Sequence, residues 1–234
     1  MLGIETTTAV ASVGLVSADA TSSEQAAPPK GNHARILLPL IDAVLASGGA
    51  NLAGVDLLAV SIGPGSFTGL RIGLSVAKGL ALAADRPILG VPTLEAYART
   101  AGPRAGAVCP VLDARKGQVY GAIFHWRGDE LVCEEPGVAV TPEEFAARLE
   151  GPCTLLGDGV DAYAAVWSAR LGSRVTMVYF ADLPPSGAVV ARMGMALAMR
   201  RGVDDLALLE PFYCRLSEAE VQRGRHAAAG VWKN

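Results

Sequence analysis

At 234 residues, 51% of them hydrophobic, the chain can bury a working core, which excludes extended disorder. Its net charge of -3, with 20 basic residues that never form a run, excludes strong nucleic-acid binding by this chain alone, so any RNA is expected to be held mainly by a partner. Met1-Leu2-Gly3-Ile4-Glu5 offers no basic, then apolar leader, and the apolar stretches 36–46 and 72–84 are short for a bilayer and broken by Asp42 and Lys78; a soluble, cytoplasmic protein with no membrane partner is expected.

In chain order, Leu2 to Thr6 and Ala9 to Ser17 read as two strands joined by a threonine-rich turn, with Val10, Val13, Leu15 and Val16 supplying β-branched and apolar content. Residues 19–32 read as an exposed loop, with room for a short third strand. From His33 the pattern turns helical: Ile36, Leu37, Leu40, Ile41, Val44 and Leu45 share one face, Gly48-Gly49 stops the helix, and Pro39 marks a kink or a start. Asp56 to Ile62 reads as a strand, Leu70 to Ala84 as a helix, Pro87 to Val91 as a strand, and Thr93 to Thr100 as a helix.

Ala101-Gly102-Pro103-Arg104-Ala105-Gly106 is the candidate boundary, placing one lobe at 1–104 and another at 105–234, the last residues packing back or disordered. The second half restarts with strands at Val108 to Asp113, Gln118 to Trp126 and Leu131 to Glu134. Thr141-Pro142-Glu143-Glu144 is a capping box whose helix is expected to reach about Leu149. A strand at Thr154 to Leu156, Gly157-Asp158-Gly159, a helix, a strand near Val175 to Val178 and a helix at Ser186 to Met199 complete the order. Both halves run from hairpin strands into alternating helices and strands, so two related α/β units are expected.

The sharpest local signal is the glycine-rich run from Ser61 to Arg71. Its amides could cradle an anion, or it could be a tight turn with Ser66 or Thr68 as helix cap. It is neither a Walker A loop, which needs Lys-Ser or Lys-Thr after the second glycine, nor G-x-G-x-x-G, since Gly69 comes one residue late. Gly69, Gly73, Ala77 and Ala81 then form a ladder of small residues on one helix face. Such a stripe suits close packing on the chain's own sheet or against a helix of another subunit.

Glu5, Asp113 and Asp158 lie where a nucleotide or metal could be met, and equally where turn residues lie. The cysteines at 109, 133, 153 and 214 form no C-x-x-C pair, and His33, His125 and His226 form no H-x-x-x-H, so buried free thiols and no metal site are expected. No Ser-His-Asp or Cys-His set follows from spacing, and no catalytic residue is assigned.

The run Gly63-Pro64-Gly65-Ser66-Phe67-Thr68-Gly69-Leu70-Arg71, with Gly73 and Ala77-Lys78-Gly79-Leu80-Ala81, closely resembles the hallmark of the TsaB (YeaZ) family. Ile4-Glu5-Thr6-Thr7 resembles that family's opening Asp-Thr-Ser segment, and His33 to Ile41 its His-x-x-x-Leu-Leu-Pro-x-Ile helix. Val91-Pro92-Thr93-Leu94-Glu95-Ala96, Asp113-Ala114-Arg115-Lys116-Gly117-Gln118-Val119-Tyr120 and Pro211-Phe212-Tyr213-Cys214-Arg215 resemble further stretches in the same order, so the likeness spans about residues 1–221.

The resemblance implies an actin-like fold, shared with sugar kinases and Hsp70 (the ASKHA class), of two related α/β lobes. It implies a non-catalytic scaffold or activator of TsaD, which forms N6-threonylcarbamoyladenosine at position 37 of ANN-decoding tRNAs, alongside the ATPase TsaE and with tRNA met only through the complex. It also implies an interface, with TsaD or with a second copy as a homodimer, on His33, Ile36, Leu37, Leu40, Ile41 and Val44 of one helix and Thr68, Gly69, Arg71, Ile72, Gly73, Val76, Ala77 and Leu80 of the next. A vestigial nucleotide site would lie at Glu5, Thr6, Gly63, Gly65, Ser66, Asp113, Gly157 and Gly159, with no cofactor expected although ATP or ADP could be accommodated. Two departures bear on chemistry: Thr93 and Tyr97 stand where TsaD has metal-binding histidines, and Glu5 stands where the superfamily has Asp, one methylene shorter. The alternatives are an ATPase or small-molecule kinase of the same superfamily, and a metalloprotease.

Overall fold

A computed structural model describes residues 1–17, 21–27, 32–184 and 186–214. They form two compact units, the first from Met1–Ala96 together with Pro185–Pro211, the second from Tyr97–Pro184 joined by the described residues after Pro211. The division thus falls after Ala96 instead of at 104, and a segment from late in the chain belongs to the first unit. The expected behaviour of the last residues concerns 215–234 and lies outside the described residues.

The first unit is built on a five-stranded sheet of β1 (Leu2–Glu5), β2 (Ser12–Val16), β3 (Thr21–Ala26), β4 (Leu58–Gly63) and β5 (Ile88–Pro92), in the order β3-β2-β1-β4-β5. β1, β2 and β3 run antiparallel, while β1, β4 and β5 run parallel. β4, Leu-Ala-Val-Ser-Ile-Gly, is buried throughout, as a central parallel strand covered on both faces must be. β3 is the optional third strand made real. Thr-Ser-Ser-Glu-Gln-Ala has no apolar alternation, and its pairing with β2 carries it.

Helix α1 (His33–Ser47) starts at Asn32, whose side chain accepts the Ala34 N–H, and runs past Pro39, which lies on its exposed side. Helix α2 (Phe67–Ala84) begins three residues earlier than expected, capped by Ser66, whose Oγ accepts the Gly69 N–H at 3.2 Å. With 18 residues, it is by length and composition apolar enough to cross a membrane, more than the stretch 72–84 suggests; one face of it is buried against β4 and β1. Helix α3 (Thr93–Thr100) follows β5.

The other face of this sheet is covered by the final helix of the described chain (Gly187–Arg201). It lies so close that a β-carbon on Gly3 would fall 2.1 Å from Gly187 O and one on Gly14 2.2 Å from Ala188 N. The segment after it seals the edge of β5: Asp204 donates its N–H to Ile88 O and its carboxylate accepts the Gly90 N–H at 2.8 Å, while Arg201 holds that carboxylate. A sheet edge closed in this way is no longer a template for pairing.

The second unit contains β6 (Ala107–Arg115), β7 (Gln118–Arg127), β8 (Glu130–Val140), α4 (Pro142–Ala146), β9 (Cys153–Leu156), α5 (Asp158–Ala162), α6 (Ala164–Leu171) and β10 (Val175–Val178); the helix described above is α7. Thr141 and Glu144 form the capping box, but α4 ends at Ala146, short of Leu149. Phe145 and Trp167 meet edge to face in the core, their centroids 6.4 Å apart, and the indole N–H donates to Gly159 O. The strand order is β10-β9-β6-β7-β8, with β6, β7 and β8 antiparallel and β6, β9 and β10 parallel. Read from β8, this is the order of the first sheet again, so the chain carries two related α/β lobes. The four cysteines are free, with Cys109 and Cys153 buried and Cys133 and Cys214 partly so.

Candidate functional site

The glycine-rich loop and the end of β1 form one joint. Ser66 donates its N–H to Thr7 O at 2.7 Å, Thr6 Oγ1 donates to Gly69 O at 2.9 Å, and the Gly63 N–H goes to the buried Thr93 Oγ1 at 3.0 Å. With the Gly69 N–H on Ser66 Oγ, three amides of the loop, those of Gly63, Ser66 and Gly69, are engaged within the chain. The glycines allow the approach: a β-carbon on Gly65 would come 2.5 Å from Thr7 Cβ, and one on Gly69 1.9 Å from Thr6 O. Of the two roles open to this loop, the tight turn capped by Ser66 is the one its hydrogen bonds describe. Glu5 is buried at 1% exposure, and its Oε1 accepts both the Thr7 N–H and the Thr7 hydroxyl. Burial pushes its carboxyl above the ordinary range, against the opposing pull of the Ser61 and Thr7 hydrogen-bonding groups and of His33.

The small-residue ladder is turned inward, which corrects the interface expected on it. Gly69, Gly73, Ala77 and Ala81 are all buried within the first unit, and a β-carbon on Gly73 would fall 2.1 Å from Thr6 Oγ1. Leu37, Ile41 and Val44 of α1 are likewise buried in the chain's own core against β2 and β3. The physical reason is shared: a face of 3.6-residue periodicity is first of all the face a helix turns to its own sheet.

What α1 and α2 leave to other surfaces is the flank beside that face. His33, Ile36 and Leu40 on α1, and Ile72, Val76 and Leu80 on α2, are partly buried, while Thr68 and Arg71 are exposed. The two helices lie against each other. Leu38, Phe67 and Leu82 add exposed apolar side chains that a search for periodicity passes over, because they fall off the core stripe. The Arg71 guanidinium sits 3.9 Å above the Phe67 ring. His33 Nε2 is 2.9 Å from Thr8 O, tying the start of α1 to the turn after β1.

In the second unit, Asp113 and Asp158 meet. Asp158 Oδ1 accepts the Asp113 N–H at 2.9 Å, and Asp113 in turn holds Arg115 at 3.1 Å and the Tyr163 hydroxyl at 3.2 Å. Burial, with the Asp113 charge adding to it, pushes the Asp158 carboxyl up to about 6 against the Asp113 hydrogen bond. Gly157 and Gly159 bring α5 onto β6: a β-carbon on Gly157 would lie 2.4 Å from Val111 O, and one on Gly159 2.9 Å from it. Both glycines are explained by packing.

At the positions of the histidines expected in a metal enzyme of this type, Thr93 accepts the Gly63 N–H and Tyr97 is buried. Among the described residues, no three of His, Cys, Asp and Glu come together as a metal-binding group.

Residues 23–141 match the family described as "TsaD: tRNA N6-adenosine threonylcarbamoyltransferase". The tRNA threonylcarbamoyladenosine biosynthesis protein TsaB of Escherichia coli (strain K12) is 35% identical over 174 residues, covering 70% of this chain and 73% of that protein. Its namesake in Haemophilus influenzae is 30% identical over 233 residues, covering 92% and 93%. A solved Pseudomonas aeruginosa structure, described as similar to peptidase YeaZ, superposes with a TM-score of 0.78 at 26% identity, covering 92% of this chain and 98% of that one. With sequence likeness over nearly its whole length and the matching two-lobed fold, the chain belongs to the TsaB (YeaZ) family of tRNA threonylcarbamoyladenosine biosynthesis proteins.

Proposed function

We propose that the chain is a non-catalytic scaffold and activator of a TsaD-type threonylcarbamoyltransferase, acting in the formation of N6-threonylcarbamoyladenosine on tRNA. The observation that supports this reading most is α2: a long apolar helix that buries one face in its own unit and leaves Ile72, Val76 and Leu80 only partly buried in a row along the flank of that face. Solitary exposed hydrophobics are ordinary, but a run of them along one helix marks a surface for a partner. The polar groups point the same way. Glu5 is spent on Thr7, Asp158 on Asp113, and Thr93 on Gly63, so each acts as a structural tie.

The partner is TsaD, engaged through the flanks of α1 and α2; a second copy of the chain would use the same flanks when TsaD is absent. TsaE joins the pair, and tRNA is met through the complex, because this chain is net acidic. The test is co-purification with the TsaD of the same cell, followed by a threonylcarbamoyl-transfer assay with each subunit left out in turn. The expected result is a stable pair and no transfer by this chain alone. Turnover by the pure chain, or full activity of TsaD without it, would overturn the proposal.

A further inference from the structure

The actin-like fold implies a nucleotide whose phosphates and magnesium would lie at the end of the first strand, and the residues there fit it poorly. Glu5 has no solvent face, Gly65 and Gly69 are pressed against Thr6 and Thr7, and the amides of Gly63, Ser66 and Gly69 are engaged within the chain. Magnesium keeps several waters in a strict octahedron, and nothing at Glu5 leaves room for them. What the site does hold is an imbalance. Glu5 Oε1 accepts two hydrogen bonds from Thr7, while Oε2 and the Ser61 hydroxyl, both buried, have no partner but each other among the described residues. The parallel register that sets Ile4 against Val60 brings Ser61 to the side of Glu5 on the neighbouring strand.

Ser61 can donate to an ionised Glu5, but that carboxylate would be a buried charge with no cation bonded to it among the described residues. A neutral acid removes that charge and keeps an O–H···O bond with Ser61. We propose that Glu5 is carried as the neutral acid, its proton shared with Ser61, so that the acidic position of the first lobe is a proton site and no longer a magnesium-phosphate site. The surroundings agree. Ser61 of β4 and Thr7 of the turn act on the carboxyl, Ser12 of β2 is its register partner, and α7 places the Ser186 N–H on the Ser12 hydroxyl. The charge that acts on Glu5 is His33 on α1, which favours ionisation and is outweighed by burial, while Glu24 and Arg192 on the α7 side act on one another. The sign follows: the folded chain holds this proton more tightly than the unfolded chain, so the stability it contributes is present below the ordinary carboxylate range and is lost as pH rises through the raised folded value.

The test is infrared spectroscopy of the full chain near neutral pH, with melting curves across pH. The expected result is a carboxylic-acid C=O band that Glu5→Gln abolishes and Ser61→Ala shifts. Glu5→Gln keeps both partners without the charge, so it should melt at least as high as the parent and decline less with rising pH, most clearly in an Asp158→Asn background that removes the other raised carboxyl. Should Glu5→Gln fail to fold, Ser61→Ala still decides the matter, since its band must move. The absence of an acid band in the parent, a band indifferent to both variants, or a melting temperature raised by magnesium-ATP and not in Glu5→Gln would each overturn the proposal.

Discussion

Thr6 Oγ1 occupies the place that a side chain on Gly73 would need: a β-carbon built there lies 2.1 Å from it. The same hydroxyl donates to Gly69 O, so one threonine at the end of β1 fastens two successive turns of α2. The joint between strand and helix is therefore made of a polar hydrogen bond and two absent side chains.

Gly73→Leu is expected to damage the fold ahead of any association. Overpacking of a tight contact costs about 1–3 kcal/mol, and a leucine against Thr6 belongs at the top of that range or beyond. Chemical denaturation should show the loss, and any molecules that remain folded should still co-elute with TsaD. A Gly73→Leu chain of parental stability that no longer co-elutes would show that the ladder faces a partner after all.

Arg71→Glu addresses the surface left over. Arg71 is exposed and stacks on Phe67, so its reversal should shift stability by no more than about 0.5 kcal/mol. Capture of TsaD is expected to weaken at least tenfold, about 1.4 kcal/mol, in a titration monitored by size exclusion. Unchanged capture would move the interface away from this end of α2.

Asp158→Asn tests the second unit by pH. The Asp158 carboxyl is raised from 3.8 to about 6, so its stabilising effect is complete below about 3.8 and is lost as pH climbs through about 6. The difference of about 2 units sets an upper limit of about 3 kcal/mol on that loss. Asparagine keeps an acceptor for the Asp113 N–H, so the variant should melt at or above the parent at neutral pH and show a flatter profile between these values. A variant that is less stable at neutral pH would mean that the charge is needed.

Glu24→Ala should loosen α7. Glu24 Oε1 accepts the Ala188 N–H at 2.7 Å, and Ser186 makes no side-chain cap of its own. Loss of a cap of this kind costs about 1–2 kcal/mol. Hydrogen exchange should report it as faster exchange of the first-turn amides of α7, and Glu24→Gln, which keeps an acceptor, should restore most of the protection.

The order of strands and helices was legible in the sequence wherever periodicity, caps and glycine stops coincide, as at α1, the Thr141 box and the Ser66 loop. β3 was less so, because its polar residues carry no alternation and their pairing with β2 is a tertiary fact. The orientation of α2 was not legible. A stripe of small residues says that another backbone comes near, and whether it belongs to Thr6 or to a foreign helix depends on contacts more than 60 residues apart, such as the Thr6–Gly69 bond. Glu5 as a candidate was visible from its place after the first strand. Its burial, and the Ser61 hydroxyl beside it, needed the register of β1 on β4.

The placement of α7 reaches into the order of events during synthesis. Gly3, Gly14 and Ala59 are covered by backbone and small side chains that arrive with Gly187, Ala191 and Gly194. A ribosome that has delivered only the first hundred residues has made a sheet with one face still bare. That face must wait while the whole intervening unit is translated, and contacts so distant in sequence close slowly. A fragment ending near residue 104 is therefore expected to be sticky and incompletely folded, whereas the intervening unit can emerge and fold while its neighbour is still waiting.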